Sequence, residues 1–61
     1  MSKFIEIANT AGRRVVINSD NILYVEDWHT YISIVYFVYP KNTVCVNTKM
    51  SLDEFLSLVK K

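Results

Sequence analysis

The sequence predicts a mainly β domain, a five-stranded antiparallel meander or small SH3-like barrel with one C-terminal α-helix. Three observations carry that expectation. Short runs rich in Val, Ile, Phe and Tyr alternate with clusters of Asn, Asp, Ser, Gly and Pro, the pattern of strands punctuated by turns. Helical periodicity appears only near the end, from about residue 51 to 60. No repeat, linker or low-complexity tract divides the chain, so residues 1–61 form a single domain.

The first strand is Lys3 to Ala8, marked by Phe4, Ile5 and Ile7. Asn9-Thr10-Ala11-Gly12 is a tight turn, with the sole glycine where a hairpin needs a positive φ. Arg13 to Asn18 returns as the second strand, Val15 and Ile17 on one face and Arg14 and Val16 on the other. Asn18-Ser19-Asp20-Asn21 groups turn formers whose side chains bond their own backbone. The third strand, Ile22 to Asp27, alternates Ile22-Tyr24-Glu26 with Leu23-Val25-Asp27.

The fourth strand, Tyr31 to Tyr39, is apolar on both faces. Tyr31, Val35, Phe37 and Tyr39 share one face and Ile32, Ile34, Tyr36 and Val38 the other, with Ser33 as the one interruption. A half-buried strand alternates apolar with polar, so this one is expected to be covered on both sides. Pro40-Lys41-Asn42 ends it, and Thr43 to Thr48 is the fifth strand, with Val44 and Val46 facing inward. Ser51 and Glu54 form a capping box at the start of the helix, and Met50 is placed to staple onto Phe55. Leu52, Phe55, Leu56 and Val59 make an apolar stripe, while Lys60 and Lys61 complement the helix dipole. A helix this short is not stable alone, so its stripe must dock on the sheet.

A chain of 61 residues buries only about 60% of its unfolded surface. Ordering it costs about 90 kcal/mol, so natural proteins this small add a disulfide, a metal or a second subunit. One cysteine, Cys45, excludes an internal disulfide, and one histidine with one cysteine is too few for a closed structural zinc site. Self-association remains. A composition that is 51% hydrophobic and 13% aromatic agrees with it, so a homo-oligomer is expected, its interface drawn from Ile32, Ile34, Tyr36, Phe37, Val38 and Tyr39 or from an exposed sheet edge.

The net charge of +1 argues against a dedicated duplex binder, which shows a basic stripe. Met1-Ser2-Lys3 leads straight into a strand rather than an apolar leader, and the nine residues Tyr31 to Tyr39 fall well short of the roughly 20 a spanning helix needs. A soluble, cytoplasmic protein without membrane contact is expected.

The line from Ile7 to Glu26, with Gly12, Arg13, Asn18, Asp20, Ile22 and Glu26 at its marked positions, resembles the small flagellar FlbD-like family in spacing and residue type. Ser51 to Val59 is similar to that family's closing acidic-apolar helix, so nearly the full length is covered. The chain departs from the pattern at Asp27-Trp28-His29-Thr30 and at Pro40-Lys41-Asn42. The resemblance implies a small β domain and little mechanism. A partial second resemblance joins Asp20 to Glu26, Tyr31 with Ile34, and Ser51-Leu52 with Phe55-Leu56 to the first half of a LytTR-type DNA-binding domain. That one implies a DNA-contacting loop at Trp28 and His29, without the family's basic second half.

Trp28, His29 and Tyr31 form the only polar-aromatic cluster on a predicted loop. They read either as a stacking platform for a base, with Arg13 and Arg14 on phosphate, or as aromatic packing at a subunit boundary beside a solvated histidine. Glu26-Asp27 with Asp53-Glu54 invites a carboxylate site, but capping explains the second pair. His29 with Cys45 invites a nucleophile and base, yet no orienting group or oxyanion site is marked. Neither a catalytic set, a metal site nor a cofactor is read from these residues. The expectation is a non-catalytic, homo-oligomeric adaptor module with a protein partner. The alternative is a nucleotide or nucleic-acid binder, such as a small phage or mobile-element protein that sequesters a nucleotide signal.

Overall fold

The computed structural model describes residues 3–40 and 42–60. The elements are β1 (Phe4–Ala8), β2 (Arg14–Asn18), a single 3-10 turn (Ser19–Asn21), β3 (Ile22–Asp27), β4 (Ile32–Val38), β5 (Asn42–Thr48) and α1 (Leu52–Lys60). The mainly β class, the antiparallel pairing and the closing helix agree with the sequence pattern. Lys41 in the β4–β5 turn, Lys61 beyond the helix and the leading Met1-Ser2 lie outside the described residues.

The expected meander is divided. β1 pairs with β2 in one sheet, and β3, β4 and β5 pair in that order in another, so no closed barrel forms among the described residues. The physical reason lies at Asn18. Its side chain accepts the Asp20 backbone N–H at 3.0 Å, which winds the 3-10 turn and steers the chain off β2 before β3 begins. Among the described residues one backbone bond joins the β1–β2 unit to the three-stranded sheet: Thr10 N–H donates to the Asn47 carbonyl at 3.0 Å.

One apolar cluster unites both sheets and the helix. It consists of Ile5, Ile7, Ile17, Ile32, Ile34, Val46 and Phe55. In β1 the alternation is regular, with Ile5 and Ile7 buried and Phe4, Glu6 and Ala8 exposed. Gly12 has φ +85°, as the β1–β2 turn requires.

In β3 the simple alternation fails. A register shift between Ile22 and Tyr24 inserts an extra residue, so Ile22 and Val25 both pack on the core while Leu23 and Tyr24 are exposed. A bulge of this kind turns a strand's faces over, and binary patterning cannot reveal it.

The helix begins as its sequence indicates. Ser51 Oγ accepts the Glu54 N–H at 3.1 Å, and Glu54 Oε1 accepts the Ser51 N–H at 3.4 Å. Met50 packs against the cluster that contains Phe55. The stripe itself is rotated from the expected one: Leu52, Phe55, Leu58 and Val59 face the core, and Leu56 is 39% exposed. At 3.6 residues per turn Leu56 lies about 100° round from Phe55, past the edge of the docked face. At the far end the Lys3 ammonium donates to the Val59 carbonyl at 3.1 Å, tying β1 to the helix C-terminus.

Candidate functional site

The β3–β4 connection is held by three local hydrogen bonds. Asp27 Oδ1 accepts the His29 N–H at 3.1 Å, Trp28 N–H donates to the Tyr31 carbonyl at 2.9 Å, and Thr30 N–H donates to the Trp28 carbonyl at 2.9 Å. That last bond spans two residues around His29, whose φ is +70°, which makes a γ-turn of the rarer form. A histidine held in the left-handed region is strained, and the Asx bond from Asp27 offsets part of the cost. The turn sends Trp28 and Tyr31 to the same side. Their rings lie nearly parallel, 11° apart in plane and 6.3 Å between centroids, and Trp28 is 52% exposed.

A cleft of about 210 Å³ opens beside this loop, lined by Asp27, His29, Ser51, Leu52 and Asp53. Register explains the meeting. Asp27 lies opposite Ile32, which lies opposite Thr48, so the loop and the β5–α1 connection leave the sheet at the same end. Asp27 and Asp53 therefore share a cleft that spacing along the chain did not bring together. Their charges make it acidic, and the Ser51–Glu54 capping box already occupies donors that a helix N-terminus offers an anion. The cleft is suited to a neutral or cationic group rather than to phosphate. Among the described residues, no group of three or more His, Cys, Asp or Glu is placed to hold a metal ion.

Arg13 and Arg14 are not part of the cleft. Arg14 ends in an exposed pair with Glu6 at 3.4 Å on the outer face of β1–β2. Arg13 lies in the β1–β2 turn, which the Thr10–Asn47 bond sets beside β5. Two to three strand spacings, about 10–15 Å, separate that turn from the aromatic loop. The arginines and the stacked pair thus share one end of the molecule without forming one pocket.

His29 and Cys45 are also apart. Cys45 pairs with Val35, three positions along the ladder from Ile32, so about 10 Å of strand lies between it and the loop. Its exposed thiol donates to Asn47 Oδ1 at 3.5 Å, and Ser33 Oγ donates to the same oxygen at 2.7 Å. That polar trio closes on itself and contains no base.

The interface expected on β4 needs correction. Ile32 and Ile34, at 1% and 0% exposure, are consumed by the chain's own core and are unavailable to a partner. Tyr36 and Phe37 are half-buried, and Val38 and Tyr39 are exposed. The uncovered side of β4 is its outer face, where Val35 and Phe37 lie beside the exposed Tyr24. Leu23 and Tyr24 are exposed apolar surface as well, and of the two β5 valines expected to face inward only Val46 is buried, Val44 being exposed where the sheet opens toward Val38.

Comparison with protein-family models, with curated proteins and with solved structures gives no match. No helix among the described residues is long and apolar enough to cross a membrane.

Proposed function

We propose that the chain is a non-catalytic, self-associating binding module that acts in the cytoplasm through protein–protein contact, on a scaffold read as an opened SH3-like barrel. The observation that carries this reading is the amount of apolar side chain left uncovered on so small a body. Tyr39 is 87% exposed, Phe4 68% and Val16 61%, and the accessible surface is 4619 Å². A compact monomer of 7.1 kDa presents about 4100 Å². Uncovered apolar surface on a domain this small favours a partner, and a second copy is always available. The Thr10–Asn47 bond supports the barrel part, since it links the two sheets along one margin. Native mass spectrometry and sedimentation across concentration test the proposal. Species at integer multiples of 7.1 kDa are expected, and a monomer at every concentration overturns it.

A second reading rests on the parallel Trp28 and Tyr31 rings. Such a pair offers a stacking face to a nucleotide base or to an unstacked nucleic-acid strand, with His29 beside it, while Arg13 and Arg14, at the same end of the molecule but outside the loop, reach only a strand long enough to span the distance between them. The LytTR-like stretch points the same way. Trp28→Ala is expected to abolish nucleotide-dependent quenching of tryptophan-free fluorescence probes while leaving assembly unchanged. Binding that is flat in salt would exclude a nucleic-acid ligand.

A further inference from the structure

Four strands of this molecule lie at sheet edges, and three carry features that discourage pairing with another chain. β1 contains Glu6, β2 contains Arg14, and β3 contains Glu26, Asp27 and a bulge at Leu23. Charges and bulges are the usual guards of an exposed edge. β5, Asn42 to Thr48, has neither: it is seven residues long, uncharged, and in unbroken register with β4. Residues 42–45 are all exposed.

The direction of its free backbone groups follows from one bond. The Asn47 carbonyl accepts from Thr10, so it points away from β4. Backbone direction alternates along an antiparallel strand, so Thr43 and Cys45 also aim both N–H and C=O outward. Neither has a backbone partner on that side among the described residues.

We propose, building on the self-association reading above, that two copies join edge to edge through β5, antiparallel about a two-fold axis at Val44, so that two three-stranded sheets become one sheet of six. In this register Thr43 of each copy faces Cys45 of the other, and each pair exchanges both of its hydrogen bonds. The four outward backbone groups of Thr43 and Cys45 on each copy are satisfied. Sliding the pairing toward Cys45 sets Thr43 against Asn47 of the other copy, whose carbonyl already serves Thr10 and whose flank is occupied by the β1–β2 turn. Sliding it the other way sets Thr43 against Thr43 and carries Cys45 past the end of the partner β5, which begins at Asn42. The occupant is therefore a second β5 rather than an unrelated strand: the edge is complementary to itself. Side chains agree, since Val44 meets Val44 across the axis and extends the row in which Val44 lies opposite Tyr36. A pairing of β5 with a guarded edge would bring charges against an uncharged strand and build an open filament instead of a closed dimer.

Cross-linking tests the register. Val44 and its mate form a non-hydrogen-bonded pair, with Cα atoms about 4.5 Å apart, which suits a disulfide. Val44→Cys in a Cys45→Ser background is expected to give a covalent dimer on mild oxidation. The native Cys45 thiols, offset by two residues and about 8 Å apart, are expected not to cross-link. Because cysteine substitution alters the edge, a second pair of variants supports it. Val44→Lys and Val44→Glu, each at a position 40% exposed, are expected to weaken the homodimer about tenfold or more, and an equimolar mixture is expected to restore dimer mass. An oligomer that neither cross-links through position 44 nor responds to the charge pair overturns the edge proposal alone. A wild-type monomer at all concentrations overturns it together with the self-association reading, and filaments overturn the two-fold.

Discussion

Replacing Phe55 by Ala should unfold most of the advantage this domain holds over its denatured chain, whereas replacing the adjacent Leu56 should cost little. Phe55 is 1% exposed at the centre of the cluster that joins both sheets to the helix. A buried phenylalanine removes on the order of 175 Å² from water, worth about 4 kcal/mol at 25 cal/mol per Å². Truncation in well-packed cores costs about 3–5 kcal/mol. A domain of 61 residues has about 3–9 kcal/mol in total, so Phe55→Ala should take the midpoint of urea unfolding close to zero. Leu56, 39% exposed on the flank of the helix, should lose under about 1 kcal/mol as Ala. Urea titration followed by circular dichroism, with all variants at one fixed protein concentration, separates the two. Fixing the concentration matters because association of the folded chain adds to apparent stability. Equal losses at both positions would mean that the helix docks on the broader stripe of the sequence pattern. A larger loss at Leu56 would mean that it is rotated by about 100°, and either result would refute the packing described above.

Three further substitutions test the local structure. Ser51→Ala removes the acceptor for the Glu54 N–H and should cost about 1 kcal/mol in the same titration, with Ser51→Asp restoring most of it. Lys3→Met keeps the aliphatic stem but loses the bond to the Val59 carbonyl, and should cost about 1 kcal/mol and speed hydrogen exchange in the last helical turn. Gly12→Ala meets no atom within 4 Å yet must adopt φ +85°, so it should destabilise by about 1 kcal/mol, and Gly12→Asn by less.

The strands and the helix were legible because each is announced locally. Turn formers bracket every strand, and the Ser51–Glu54 pair marks the helix start to within a residue. What was not legible is where partners meet. The separation of β2 from β3 depends on a single side chain, Asn18, bonding its own backbone, and such a residue looks like any other turn former in the sequence. The bulge at Leu23 exchanges the faces of β3, and no alternation rule anticipates an inserted residue. The acidic cleft is invisible for a related reason: Asp27 and Asp53 are distant along the chain and meet only through the register Asp27–Ile32–Thr48. Trp28, His29 and Tyr31 were legible as a loop cluster, but their link to Arg13 and Arg14 depended on geometry, and the guanidinium of Arg14 is instead turned to Glu6.

The demand that both faces of β4 be covered is met unevenly along its length, and this bears on how the two functional readings divide the molecule. Near Ile32 and Ser33 the strand is buried on both sides, while toward Val38 both sides open. The β4–β5 ladder runs from Ile32–Thr48 to Val38–Asn42, six steps or about 20 Å. The aromatic loop and acidic cleft lie at the closed end, and the unguarded Thr43–Cys45 edge lies toward the open end. An interface made at that edge leaves Trp28 and Tyr31 in solvent in both copies. Loop and edge can therefore be altered separately. If Trp28→Ala dissolved the oligomer, the boundary would have to lie at the loop, and the pairing of β5 with β5 would fall with that one result.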